Sequence, residues 1–277
     1  MKVLITGAQG MLGNDLRLKL QDICELWTRD IQDFDICDRE KVACDIKHIR
    51  PDVVINCAAF TDVDASESRQ EKAFAVNAEG VQNIALACRE SGSLLYHIST
   101  DYVFDGQSIE PHDETYPTNP FSVYGKSKLA GELHVQNILK NHVIIRTSWL
   151  FGKHGNNFVS TIVKLSSEKD EIHIVNDQTG CPTYTVDLAE AITLLLSKPA
   201  QGIYHFCNSG VSTWYSFAEK IIGLLGRTTK VLPLTTQQLG RPAPRPAFSV
   251  LNCSKFIAET GMHPRSWEAV LKEYLLC

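Results

Sequence analysis

A doubly wound α/β fold, a parallel sheet with helices on both faces, is the architecture this sequence predicts, and three observations carry it. Strand-like and helix-like patterns alternate along the first 150 residues. The stretch Asp52–Asn56 (DVVIN) encloses a continuous apolar run, which suits a strand buried on both faces. The first strand opens directly into a glycine-rich turn and then a helix, the junction on which such sheets bind phosphates.

The elements follow in order. Val3–Thr6 reads as a strand and Met11–Leu20 as a helix with apolar residues at helical spacing. Glu25–Thr28 reads as the second strand, Asp38–Ile49 as a helix and Asp52–Asn56 as the third strand. Glu71–Glu90 reads as one long amphipathic helix, ended by Ser91-Gly92. Leu94–Ile98 is a strand, Val123–Leu139 a helix and His142–Arg146 a strand. After Leu150 the rhythm breaks. Phe151–Asn157 is a glycine- and asparagine-rich loop, Thr185–Leu196 a helix and Ile203–Phe206 a short strand. Thr213–Leu225 is an amphipathic helix capped by Ser212 or Thr213. Arg241–Pro246 (RPAPRP) is a loop, because its prolines exclude helix and central strand, and Trp267–Leu276 closes as a helix.

Composition narrows the function classes. A net charge of −5 offers no electrostatic footprint for nucleic acid or an anionic membrane. No apolar run approaches the roughly 20 residues that span a bilayer, and the N-terminal MKVLITGAQG is too short in its apolar part for a signal peptide. The nine cysteines are odd in number and scattered, with no C-x-x-C pair. Free thiols in a reducing cytoplasm are expected, rather than a disulfide framework or a zinc site.

Gly7-Ala8-Gln9-Gly10-Met11-Leu12-Gly13 reads G-x-x-G-x-x-G between a strand and a helix. Glycines there allow a tight turn and close approach of a pyrophosphate, and the helix N-terminus supplies free N–H groups. Thr28-Arg29-Asp30 ends the second strand. An acidic residue there binds a ribose 2′-hydroxyl and an arginine a 2′-phosphate, so both NADH and NADPH stay open. Small residues in Asn56-Cys57-Ala58-Ala59 let a cofactor pass over a later strand end. This chain therefore divides into a dinucleotide-binding (Rossmann) domain, residues 1–150 with about 183–207, and a smaller C-terminal substrate lobe, about 151–182 with 208–277.

Tyr124 and Lys128 lie four apart on a helix, so their side chains share one face. A lysine ammonium beside a phenol is expected to lower the phenol pKa from about 10 and let it exchange a proton near neutrality. Ser99-Thr100-Asp101 follows the strand Leu94–Ile98, at the carboxyl end where such sheets bind ligands. A hydroxyl there can donate to a substrate carbonyl. Trp149 follows the strand His142–Arg146 and offers a ring for the apolar face of a sugar.

These motifs resemble the extended short-chain dehydrogenase/reductase superfamily, and more finely its dTDP-4-dehydrorhamnose reductase family. The residues that carry the finer match are STDYVFDG at 99–106, PFSVYGKSKLAGE at 120–132, RTSWLFG at 146–152, GNNFV at 155–159 and NDQTGCPT at 176–183. The resemblance implies Tyr124 as proton donor, Lys128 as its partner and ribose ligand, and Thr100 as hydrogen-bond donor to the carbonyl. It implies a cofactor, NADPH or NADH, over Gly7, Gly10, Met11, Leu12, Gly13, Asp30, Asp35, Ile36, Ala58, Ala59, Phe60 and Thr61. It implies a dTDP-linked keto-sugar beside Thr100, Asp101 and Trp149. Some members of the family are magnesium-assisted homodimers, but no compact acidic cluster in the sequence fixes a Mg²⁺ site.

Two rival readings remain. Dehydratases and epimerases share the fold, and a dehydratase carries an acidic pair after the threonine, where this chain has Asp101 followed by Tyr102. The chain also resembles the non-catalytic regulatory subunit of methionine adenosyltransferase, although Thr100, Tyr124 and Lys128 are all intact.

Overall fold

The computed structural model describes residues 1–276; Cys277 lies outside the described residues. The first half runs β1 (Lys2–Thr6), α1 (Met11–Leu20), β2 (Glu25–Arg29), α2 (Arg39–Ile49), β3 (Val53–Asn56) and α3 (Val63–Ser68). It continues through α4 (Gln70–Phe74), a π-helical turn (Ala75–Gly80), α5 (Val81–Ser91), β4 (Leu94–Thr100), α6 (Val123–Ile138) and β5 (His142–Thr147). The second half holds β6 (Leu150–Phe151), α7 (Phe158–Glu168), β7 (Glu171–Val175), β8 (Thr179–Gly180), β9 (Thr183–Tyr184), α8 (Thr185–Leu196) and β10 (Gly202–His205). Then come β11 (Ser212–Thr213), α9 (Trp214–Leu224), β12 (Lys230–Leu234), α10 (Thr236–Leu239), α11 (Ser254–Thr260) and α12 (Trp267–Leu276).

Six strands form one parallel sheet in the order β10-β5-β4-β3-β1-β2. From β1 the chain steps outward to β2, then returns to β3 on the other side. The loops after β1 and β3 therefore diverge, and the gap between them is the place where open α/β sheets take their ligands. Each face of the sheet is covered. Val3, Ile5 and Ile55 pack with Leu12 and Leu16 of α1 and Leu188 and Ile192 of α8 on one side. Leu4, Val54 and Ile144 pack with Val42 and Ile46 of α2, Ile84 of α5 and Val135 of α6 on the other. Near-complete burial on both faces explains why these strands read as continuous apolar runs.

A separate apolar cluster joins Phe151, Val159, Ile172, Phe217, Trp267 and Leu271. It covers the parallel pair β7–β12, in which Ile172 is paired with Val231, and the helices α7, α9 and α12. The sequence pattern predicts no strand at Glu171–Val175 or Lys230–Leu234 and no helix at Phe158–Glu168, all three of which the structure contains. Glu171 and His173 interrupt the first strand and Pro233 the second, so neither carries a continuous apolar run like that of β3, and their pairing joins segments far apart in the chain.

The expected single helix over Glu71–Glu90 is instead α4, a π turn and α5. The extra residue in the widened turn faces Asn77 inward. The Asn77 side-chain amide donates to Phe60 O at 3.0 Å and to Ser127 Oγ at 3.0 Å, and its Oδ1 accepts from Phe60 N at 2.8 Å. The π turn thus fastens the loop after β3 to α6. Helical periodicity continues on both sides of the turn, so apolar spacing does not reveal it.

Candidate active site

The loop after β1 is shaped by its glycines. Gly7 has φ +68°, and a Cβ there would lie 2.6 Å from Ala58 N. A Cβ on Gly13 would lie 2.3 Å from Gly7 O, so this glycine lets α1 pack on the turn. Helix α1 starts at Met11 with no side-chain cap from Gly10. Its first N–H groups are left to a ligand or water.

A cleft of about 490 Å³ opens at this point. Gly7, Gly10, Met11, Leu12 and Gly13 line it from the β1 side, and Asp30, Asp35 and Ile36 from the end of β2. Ala58, Ala59 and Thr61 line it after β3, and Tyr124 and Lys128 close its far end. Beneath the alanines, Asn56 is fully buried. Its Oδ1 accepts from Thr6 Oγ1 at 2.7 Å and Ala58 N at 3.1 Å, and its amide nitrogen meets His97 Nδ1 at 3.1 Å. This polar knot sets the course of the Cys57–Ala59 loop. Phe60, Thr100, Asp101 and Trp149 do not line the cleft itself.

Tyr124 is placed by a close approach between elements. Ser122 caps α6 by accepting from Gly125 N at 3.1 Å. A Cβ on Gly125 would lie 2.3 Å from Tyr102 O, so glycine lets α6 touch the 3-10 turn Asp101–Val103. Tyr124 then packs edge-on against Tyr102, ring centroids 5.4 Å apart, with Thr100 as a hydrogen-bonding neighbour of its hydroxyl. Thr100 Oγ1 lies 3.0 Å from Asp101 Oδ1 and accepts from Tyr102 N at 3.2 Å. Burial pushes the Asp101 carboxyl up to about 6.

The electrostatics differ from the sequence expectation in one respect. Burial pushes the Tyr124 phenol up to about 12, against the smaller lowering influence of Thr100. The Lys128 ammonium, 2 % exposed, donates to Ile98 O at 2.6 Å. Burial brings its pKa down to about 8, against the raising influence of Glu132. The phenol is accordingly a held proton, suited to donation, rather than a pre-formed phenolate.

Two residues were missed. Glu132 sits one further turn along the Tyr124–Lys128 face of α6, a spacing visible in the sequence. Its carboxylate is fully buried, accepts from Ser99 Oγ at 2.5 Å and pairs with Arg146 at 2.7 Å. Asp64 was also missed. Its carboxylate binds both Arg241 (2.8 Å) and Arg245 (2.9 Å), which ties the RPAPRP loop to α3. The two arginines hold that carboxyl well below its usual range, against the opposing effect of burial.

Trp149 lies flat on Trp214, with ring centroids 3.6 Å apart and planes 8° apart. Its backbone is left-handed at φ +47°, and a Cβ on Gly180 would meet the ring at 2.6 Å. This indole is therefore anchored in the second lobe. Trp149→Ala is expected to cost about 2–4 kcal/mol of stability, read as a lower urea midpoint; an unmoved midpoint would contradict the anchoring role. Among the described residues, no group of three His, Cys, Asp or Glu side chains converges as a metal site. No helix of the described residues is long and apolar enough to cross a membrane.

A glycine turn at the switch point, with a buried tyrosine and lysine on one helix face, defines a nucleotide-binding α/β protein of the short-chain dehydrogenase type. The family model for the RmlD substrate binding domain matches residues 1–276. The spore coat polysaccharide biosynthesis protein SpsK of Bacillus subtilis is 44 % identical over 275 residues, 99 % of this chain and 96 % of that protein. A dTDP-4-dehydrorhamnose reductase of Streptomyces griseus is 43 % identical over 280 residues, 98 % of this chain and 91 % of that enzyme. The crystal structure of dTDP-4-dehydrorhamnose reductase from Bacillus anthracis in complex with NADP superposes with a TM-score of 0.97 at 39 % identity, covering 100 % of this chain and 99 % of that one. The chain belongs to the RmlD, or dTDP-4-dehydrorhamnose reductase, family.

Proposed function

We propose that the chain is a cytoplasmic NAD(P)H-dependent oxidoreductase that reduces the C4 ketone of dTDP-4-dehydrorhamnose to dTDP-rhamnose, a step in nucleotide-sugar biosynthesis for cell-surface polysaccharide. The observation that carries this reading is the meeting of Tyr124 and Lys128 at the glycine-lined cleft, with Thr100 a hydrogen-bonding neighbour of the Tyr124 hydroxyl. The cleft fits a dinucleotide: the glycines clear the turn after β1, and the start of α1 lacks a side-chain cap. Residues 1–150 with about 183–207 then form the cofactor domain, and the remainder the sugar lobe. Bound in the cleft, the nicotinamide would supply a hydride to C4 of the keto-sugar.

The residues of the chain do the rest. Met11, Leu12 and Gly13 would hold the pyrophosphate with backbone N–H groups at the start of α1, while Gly10 N donates to Gly7 O at 3.1 Å and keeps the turn tight. Lys128, which lines the cleft with Tyr124, would hold ribose hydroxyls and place positive charge near the phenol. Thr100 donates to the ketone oxygen, and Tyr124 delivers the proton to that oxygen as it becomes an alkoxide. Burial holds the phenol protonated at neutral pH, so the donor is loaded before the sugar arrives. Asp101 borders the sugar, next to Tyr102 where elimination would want a second carboxylate.

The test is stoichiometry. With a dTDP-4-keto-6-deoxy-sugar, one nicotinamide should be oxidised for each sugar reduced. Conversion with no net change in nicotinamide absorbance would mark an epimerase or dehydratase. Cofactor binding with no conversion of any keto-sugar would favour the regulatory-subunit reading.

A further inference from the structure

Three of the free cysteines among the described residues meet in one place. Cys207 follows β10 at its carboxyl end, Cys181 lies between β8 and β9, and Cys253 immediately precedes α11. The Cys207 and Cys253 sulfurs are 3.6 Å apart. Cys207 N also donates to Cys253 Sγ at 3.4 Å, and Cys181 is a further hydrogen-bonding neighbour of the Cys207 thiol. The proposed reduction uses none of these groups.

The two close thiols are unequal. Cys207 is 3 % exposed, and its hydrogen bonds to Cys181 and Cys253, with burial, push its thiol well above the ordinary value. Cys253 is only partly buried, and the thiol of Cys207 facing it holds it below the ordinary value, against burial. The thiolate is the attacking form of cysteine. Cys253 is therefore the sulfur that meets a small oxidant first, with Cys207 as the resolving thiol within reach.

The pair is also tied to the sugar side of the site. Cys181 and Cys207 share an apolar cluster with Val103, Phe104 and Leu251, and Cys253 packs on it. Val103 belongs to the 3-10 turn on which α6 is seated, and Ser249, four residues before Cys253, is a hydrogen-bonding neighbour of Asp101. A disulfide would draw the sulfurs from 3.6 Å to about 2.05 Å and pull the 249–253 segment toward β10. A shift of about 1 Å at a catalytic constellation can cost about 10²-fold in rate. β10 stands at one edge of the sheet and β2 at the other, so the β2 end of the cofactor cleft is remote from this movement.

We propose that Cys253 and Cys207 form an oxidation site for hydroperoxides, whose disulfide distorts the sugar side of the active site and leaves cofactor binding intact. With hydrogen peroxide, Cys253 Sγ bonds to one oxygen, the O–O bond breaks, and the departing hydroxide takes up a proton as water. Cys207 Sγ then bonds to the sulfur of the Cys253 sulfenic acid. The S–O bond breaks, and its oxygen leaves as a second water with the Cys207 proton. The two thiols lose two electrons and the peroxide gains them.

The test treats the full chain with hydrogen peroxide, alkylates the remaining thiols in urea and maps the peptides without reduction. A Cys207–Cys253 cross-link should be the main disulfide, and Cys207→Ser should instead leave a Cys253 sulfenic acid that dimedone traps. Turnover of a dTDP-4-keto-6-deoxy-sugar should fall by about tenfold or more, while NADPH affinity, followed by fluorescence, stays within about twofold. Dithiothreitol should restore the lost turnover, and Cys253→Ser should keep its turnover under the same treatment. Recovery of Cys207 and Cys253 both alkylated would overturn the inference, as would a cross-link that leaves turnover unchanged. So would loss of NADPH binding in step with turnover, which would place the damage at Cys57 in the cleft. The consequence for turnover rests on the reductase reading. A cross-link in a chain that reduces no keto-sugar even before treatment would sink that reading and uphold the oxidation site.

Discussion

Replacing Tyr124 by Phe is expected to lower kcat by about 10²–10⁴-fold while nicotinamide binding persists. The substitution removes one hydroxyl and keeps the ring. The edge-on contact with Tyr102, the seat of α6 on the Asp101–Val103 turn and the position of Lys128 should all survive. What disappears is the proton that neutralises the forming alkoxide. Because burial holds the phenol near 12, this proton is present across the whole neutral range. The loss should therefore be similar at pH 6 and pH 8, and it should fall on kcat rather than on the KM for cofactor. Steady-state turnover of a dTDP-4-keto-6-deoxy-sugar, beside a fluorescence titration of NADPH, separates the two. Turnover near that of the unaltered protein would remove Tyr124 from the chemistry.

The parts of the site that could be read from sequence are those carried by local spacing. The G-x-x-G-x-x-G turn states its own geometry, because Gly7 needs a left-handed backbone and Gly13 a missing Cβ. Tyr124 and Lys128 declare a shared face by lying four apart, and the same rule extended one turn reaches Glu132. The alternation of strands and helices was legible for a similar reason: each apolar run is long enough to set its own period.

What stayed hidden depends on partners distant in the chain. Nothing near Arg29 announces that Asp45 will take its guanidinium. The π turn at Ala75–Gly80 is invisible to a periodicity that resumes on either side of it, yet it aims Asn77 at Phe60 and Ser127. Trp149 reads as an aromatic facing the cleft from a strand end, a ring for the apolar face of a sugar. Its stacking on Trp214 comes from a segment some sixty residues later in the fold's second lobe. Burial was equally hidden. The spacing of Tyr124 and Lys128 suggests an ammonium lowering a phenol, but desolvation acts on both groups and moves the phenol the other way.

Glu132→Gln is expected to destabilise the fold by about 3–5 kcal/mol, because it strands a buried charge. Glu132 and Arg146 are almost wholly inaccessible, and the carboxylate accepts two nitrogens of Arg146 as well as Ser99 Oγ. A neutral amide cannot balance the guanidinium, which would stay among apolar neighbours such as Phe104 at 5.2 Å from its carbon. Urea unfolding measures this loss, and a change under 1 kcal/mol would mean that water or another group compensates. A second readout separates packing from electrostatics. Lys128 titrates near 8, held down by burial and held up by Glu132. Lysine is charged below its pKa, so the ammonium is present below about pH 8 and lost as pH rises through it. Removing the carboxylate leaves Arg146 uncompensated and moves that transition to lower pH. The alkaline limb of kcat/KM should therefore shift downward in Glu132→Gln, under conditions where the variant remains folded. Glu132→Asp, which keeps the charge, should restore most of the limb even if its packing is poorer. A purely structural glutamate would lower stability in both variants and leave the limb where it is in the unaltered protein.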